Sequence, residues 1–179
     1  MVLKPHLLLI SILLATPLQA RDILLDDPEP EPVWTGPTEE WREGDVAIPN
    51  EINPDDLQEF RVAANETRFR YFIERGSLRT DADDVTRFTL VIQSHSGASN
   101  SSYEGFRCRE RVYKVYAYGG RDSLTPIPGM TWESIPKDES TDYRAALYDD
   151  LLCNLQTGHA NPADAVIEAM RNNRRVGID

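Results

Sequence analysis

No run of residues in this 179-residue chain reads as a catalytic, cofactor-binding or metal-binding motif. Cysteine is nearly absent, with only Cys108 and Cys153, and of three histidines only His95 and His159 lie beyond the first twenty residues. With no C-x-x-C pair and so few imidazoles, the ligand count argues against a structural zinc site or dithiol chemistry. There is no G-x-S-x-G, hence no strained elbow to present a nucleophilic serine. A hydrolytic set would have to be assembled from distant residues such as Ser96 or Ser99 with His159. Asp81-Ala82-Asp83-Asp84 lacks the glycine and the distal glutamate of a calcium loop and reads as a solvated turn. Past the N-terminus no apolar run approaches the ~20 residues that cross a bilayer as a helix. The expectation is a non-enzymatic protein without cofactor, metal or stable membrane insertion.

What is present begins with a leader. Lys4 precedes the apolar run Leu7 to Ala15, and Pro17 breaks it before Leu18-Gln19-Ala20, the pattern of a cleavable signal peptide over residues 1–20. No cysteine follows the cleavage site, which argues against a lipid-anchored start. The expected product is soluble and exported, beginning near Arg21. Export changes the meaning of the two cysteines, because exported chains favour disulfides where cytosolic ones keep thiols. A Cys108–Cys153 bridge is expected to tie a strand to a late helix, with a chain-entropy contribution of about 4 kcal/mol.

Charge is segregated. Arg21 to Phe60 holds thirteen acidic residues against two basic ones, whereas Arg61 to Arg121 holds eleven basic against seven acidic. The Pro-Glu alternation from Asp26 to Pro32 can form neither helix nor sheet interior, so residues 21–47 read as an acidic, Pro-rich arm. Residues 48–179 read as the folded domain. Trp34 and Trp41 are large aromatics in a polar segment and are expected to dock, either on the chain's own domain or on a partner. The arginines of the basic middle, Arg107, Arg109 and Arg111 among them, are solvated strand positions, sites covered by the arm, or contacts for an acidic partner. Trp34, Trp41, Arg107, Arg109 and Arg111 are thus the candidate partner contacts. Nucleic acid is an unfavourable partner, since the net charge is −11 and the arm competes for any basic face.

Strand signals lead. Arg68 to Glu74 and Val85 to Ser94 alternate with period two, the second placing Phe88, Leu90 and Ile92 on one side. A polar loop from His95 to Ser101 leads to a long third strand, about Ser102 to Tyr118, whose apolar phase slips as a bulge near Glu110 or Arg111, or burial on both faces at the distal end, would cause. Met130 to Ile135 supplies a short fourth. A helix capped by Ser140 or Thr141 is expected to run to about Gln156, burying Tyr143, Leu147, Leu151 and Leu155. A second, with Asn161 as cap and Pro162 at its first position, buries Ala163, Val166, Ile167 and Met170. The fold class is therefore α+β: an antiparallel sheet of about four strands, two C-terminal helices on one face, and one disulfide.

The segment Ser102-Tyr103-Glu104-Gly105-Phe106-Arg107-Cys108, followed by Tyr116-Ala117-Tyr118-Gly119, resembles the cryptic neisserial protein-like family. Phe88-Thr89-Leu90-Val91-Ile92, Ser96-Gly97-Ala98, Trp132 and Leu151-Leu152-Cys153 carry the same likeness, over roughly Asp55 to Leu155. These are exported bacterial proteins without an assigned activity. The resemblance implies a periplasmic location and lends no catalytic residue. The order of strand hairpin, strand cysteine and helix cysteine is also similar to surface-adhesin protein E-like domains. The expected function is a protein-binding or envelope-assembly module with an unidentified envelope partner. The alternative is a small-ligand, haem-binding or adhesin-like protein using His95, Tyr113, Tyr116 and Tyr118.

Overall fold

The computed structural model describes residues 40–62, 68–137, 142–173 and 176. The sheet has eight strands: β1 (Leu57–Phe60), β2 (Phe69–Glu74), β3 (Arg79–Thr80), β4 (Thr86–Ser94), β5 (Ser99–Arg107), β6 (Val112–Gly119), β7 (Leu124–Pro126) and β8 (Glu133–Ser134). All pairings are antiparallel, in the order β1-β2-β4-β5-β6-β7, with β3 beside β4 and β8 beside β6. This corrects the expectation of about four strands.

Two causes account for the difference. The single long strand expected over Ser102 to Tyr118 is a hairpin, β5 and β6, turning at Cys108 to Arg111. That turn contains no glycine, proline or asparagine, so composition does not mark it. Arg111 takes the left-handed conformation there, φ 54°. Such backbone costs about 1–3 kcal/mol in a non-glycine residue. It is offset by the Arg111 guanidinium, which donates to both Asp149 oxygens at 2.6 and 2.7 Å and to the Ile135 and Pro136 carbonyls. The phase slip also has a different source: Tyr103 faces Ala117 and Glu104 faces Val115, leaving Tyr116 as the extra residue of a bulge. Gly105 makes room for it, since a Cβ there would lie 2.8 Å from the Tyr116 hydroxyl. The remaining additions, β1, β3 and β7, have two to four residues each, too few for period two to register, whereas β8 lies within the expected short fourth strand.

Alternation on β2 and β4 sorts the core into two layers. Tyr71, Ile73, Phe88, Leu90 and Phe106 point to one face, where they meet Ala145, Leu147, Leu151, Leu152, Val166 and Met170. Phe72, Val91, Tyr103, Tyr116 and Ala117 point to the other, where Val46, Ile48, Ile52 and Leu57 cover them. Each such side chain withdrawn from water contributes about 1.5–3 kcal/mol before entropy is counted.

The helical face holds α1 (Tyr143–Ala146), which widens into a π-helix over Leu147–Leu152, and α2 (Ala163–Arg171). Asp142 caps α1 by accepting from the Arg144 N–H at 2.9 Å; Ser140 and Thr141 lie outside the described residues. The helix stops four residues before Gln156. Cys153 is extended, with φ −118° and ψ 136°, and its N–H donates to the Tyr148 carbonyl five residues back. Leu155 therefore falls outside the buried stripe and is 61% exposed. Before α2, the Asn161 side chain donates to the Leu151 carbonyl at 2.8 Å instead of capping, and Pro162 precedes the first helical residue. Cys108 and Cys153 form the expected disulfide, Cα atoms 5.4 Å apart.

Residues 40–52 cross the sheet face opposite the helices as a strap. The Leu124 N–H donates to the Asn50 carbonyl and the Ile52 N–H to the Asp122 carbonyl, while Arg79 reaches the Ala47 carbonyl. Residues 40–47, grouped by composition with the acidic arm, thus lie on the domain. Trp34 and the rest of residues 1–39 fall outside the described residues.

Candidate interaction surface

β4 begins, β5 ends and β6 begins at the same end of the sheet, so the turn before β4, the β5–β6 hairpin tip and β8 gather there. The strap arrives at this end through Trp41 and Glu43. Its chemistry centres on two cations of the second face.

Arg87, with a fully buried side chain, donates to Asp81 at 2.7 Å and to Asp83 at 2.6 and 3.0 Å. A buried cation is tolerable only when paired and hydrogen-bonded, and the Asp81 to Asp84 turn supplies the pairing. Asp81 and Asp83 are thus committed to Arg87, and the Asp83 side chain is only 5% exposed, whereas Asp84 stays open to solvent. Burial alone would push the Asp83 carboxyl up. Bonds from Arg87 and from the Gly44 and Val85 N–H groups outweigh that and hold it at about 2. Arg87, for its part, is raised above the usual guanidinium range: desolvation opposes the charge, but the bonds to Asp83 and Asp81 and the neighbouring Tyr116 prevail.

Asp83 also fastens the strap. Its carboxylate accepts from the Gly44 N–H at 2.9 Å, and its carbonyl accepts from the Trp41 indole N–H at 2.8 Å. Glu43 accepts from Lys114 and from the Tyr116 hydroxyl, each at 2.7 Å. Burial, then the bond to Glu43, pushes that hydroxyl well above the ordinary tyrosine value.

The second cation is Arg107. Its guanidinium lies 3.6 Å from the centre of the Trp41 ring and 5.7 Å from that of Trp132, and it donates to Glu110 at 2.8 Å. The two indoles meet edge to face, 5.8 Å between ring centres. Both tryptophans remain half-buried, so the stack has an outer side facing solvent.

The five residues singled out from the sequence are treated differently by the fold. Trp41 and Arg107 are brought together. Arg111 is occupied by Asp149 and stacked on the Tyr148 ring at 4.3 Å, a fastening between hairpin and helix. Arg109, at the hairpin tip, is exposed and has no carboxylate partner among the described residues. Trp34 lies outside the described residues. Sequence reasoning missed Trp132 as the partner of Arg107, and it missed Glu43. A tryptophan beside a short strand and an acid two residues from Trp41 were the available signals.

The helical face carries its own buried pair. Glu104, fully buried, accepts from Arg144 at 2.8 and 3.0 Å, from Tyr143 at 2.9 Å and from Ser102 at 2.7 Å. Burial pushes the Tyr143 hydroxyl well up, and the Glu104 charge adds to it. The residues weighed for haem are scattered. Tyr113 donates to Glu133, and burial followed by that bond raises it to about 12. Tyr116 sits on the opposite face, and His95 lies in the β4–β5 turn at the far end of the sheet. Ser96 shares that far turn, whereas His159 stands at the near end, 3.7 Å from Asp84. The nine-residue strand β4 separates them.

Among the described residues no group of three or more His, Cys, Asp or Glu could hold a metal ion. Among them, too, no helix is long and apolar enough to cross a membrane. No curated protein and no solved structure matches the chain, so the likeness to surface-adhesin protein E-like domains gains no support. The model of the CNP1-like family matches residues 37–171, from just before Trp41 to the end of α2. With most of its length inside that match, the chain belongs to the CNP1-like family.

Proposed function

We propose that this is a non-enzymatic protein of the bacterial periplasm that binds another envelope protein through the turn end of its sheet. One observation carries the reading: the Trp41–Arg107–Trp132 stack, held in place and half open to solvent. Tryptophan and arginine dominate the energetics of protein interfaces, and rings already fixed in position lose little entropy on binding. Trp41 is pinned through its indole N–H and Arg107 through Glu110, so the stack is preorganised. The location rests on the leader pattern of residues 1–20 and on the disulfide.

The test compares baits. Full-length exported protein, an Arg107→Gln variant, a Trp132→Ala variant and a Tyr118→Ala control at the far end are each incubated with native envelope extract at low salt. Retained proteins are quantified by mass spectrometry. An envelope protein held by wild type and control, and lost about tenfold or more with both stack variants, is expected. Equal retention by all four baits would remove the stack as the binding site. N-terminal sequencing of the periplasmic fraction should begin at Arg21, and a chain retaining Met1 there would contradict export by cleavage.

A further inference from the structure

The disulfide corner beside the hairpin tip carries an exposed apolar side chain on a fixed backbone. Leu155 is 61% exposed, the more open of two exposed large hydrophobic residues among the described residues, the other being Tyr118. It stands in a loop that is firmly tied. Cys153 is bonded to Cys108 and bridges to Ala160, while the Asn154 N–H donates to the His159 carbonyl at 2.8 Å. The Gly158 N–H returns to the Asn154 carbonyl at 2.8 Å, and the Asn154 side chain accepts from the Gln156 and Thr157 N–H groups. Gly158 takes φ 72°, and a Cβ there would lie 3.8 Å from the Cα of Arg109, so the loop is seated against the hairpin tip. A single exposed leucine is ordinary on a protein surface; what sets this one apart is the tied loop that carries it, which spares a partner the cost of ordering it.

Charge supplies the second part. Along the hairpin, Arg107 is answered by Glu110 and Arg111 by Asp149, whereas Arg109, between them, has no carboxylate among the described residues. Asp84, the acid at this corner, faces His159. The corner therefore offers one fixed apolar side chain and one unanswered cation, two residues along the hairpin from Arg107.

We infer that the protein-binding surface continues around the hairpin tip onto the disulfide loop. Its occupant is a protein segment that covers Leu155 with an apolar side chain and sets a carboxylate on Arg109. The inference rests on the protein-binding reading and adds to it a second anchor and the chemistry of the partner. Because Cys108 and Cys153 join the two loops that carry the anchors, the surface is complete only in the oxidised protein.

Photo-crosslinking in the intact envelope tests this. A photoreactive benzoylphenylalanine replaces Gln156, an exposed neighbour that leaves Leu155 in place, and separately replaces Thr131, an exposed neighbour that leaves Trp132 in place, and Tyr118. The Gln156 probe is expected to capture a partner through a peptide containing Asp or Glu. Leu155→Asp and Arg109→Glu should each reduce that adduct about tenfold, with the protein still disulfide-bonded on a non-reducing gel. Adducts at Thr131 but none at Gln156 would overturn the inference and leave the proposed function standing. Adducts at neither would overturn both. An adduct with a second copy of the chain, through a peptide lacking acids, or unaffected by both substitutions would overturn the occupant named here.

Discussion

Replacing Asp83 with asparagine removes the charge that ties strap and turn to Arg87. The amide keeps the volume, but its single oxygen can replace only one of the two that accept from Gly44 and Val85, and the charge opposite Arg87 is gone. Asp83 is held at about 2 against an ordinary 3.8, and at 1.36 kcal/mol per pH unit that gap is worth about 2 kcal/mol. Its folded-state value is depressed, so the contribution is complete above pH 4 and disappears as pH falls through 2. Urea unfolding of the non-reduced wild type and Asp83→Asn, at pH 7, 4.5, 3 and 2.5, measures it directly. Tryptophan fluorescence is a suitable probe because the Trp41 indole rests on the Asp83 carbonyl. The variant should be less stable by about 2 kcal/mol at pH 7, and the two proteins should converge between pH 4 and 2. A difference that is the same at pH 2.5 as at pH 7 would refute the assignment of Asp83 as the charge that holds Arg87.

Three further outcomes follow from the packing. Arg144→Met leaves Glu104 buried without its cation and should cost about 3–5 kcal/mol in urea unfolding at pH 7, whereas a loss under 1 kcal/mol would show that Tyr143 and Ser102 suffice. Replacing both cysteines with alanine opens a 45-residue loop and should cost about 4 kcal/mol, read as a lower thermal midpoint than that of the non-reduced wild type. Gly119→Ala would drive a Cβ into the Ser123 carbonyl oxygen, so the β6–β7 turn must open. Hydrogen exchange should then accelerate at Gly119 and Leu124 while β4 and β5 stay protected, and unchanged exchange would show that the turn has room for the methyl group.

Where side-chain pattern and backbone agreed, the sequence was legible. Phe88, Leu90 and Ile92 alternate along β4 as read, Val166 and Met170 mark the buried side of α2, and the two cysteines pair. The β5–β6 hairpin was hidden because its turn, Cys108-Arg109-Glu110-Arg111, is built from residues whose turn propensity is low. What stabilises it is Asp149, 38 positions from Arg111, and no local rule reports a partner that far away. Leu155 was misplaced for a related reason: four-residue spacing is indifferent to a π-helix that ends at a bonded cysteine. Of the proposed surface, Trp41, Arg107 and Arg109 could be named from charge and aromaticity. Trp132 and Glu43 needed the fold to bring them near.

The strap has a consequence for the order in which this chain acquires its shape. Trp41 binds 42 positions downstream at Asp83, and Glu43 binds 71 and 73 positions downstream at Lys114 and Tyr116. A ribosome finishes residues 40–47 before it makes Asp83, Lys114, Tyr116 or Trp132, so the seat that receives them is complete only once Trp132 has been made and the hairpin has closed. The earliest ordered piece of the polypeptide is therefore among the last to settle, and maturation waits on the C-terminal half.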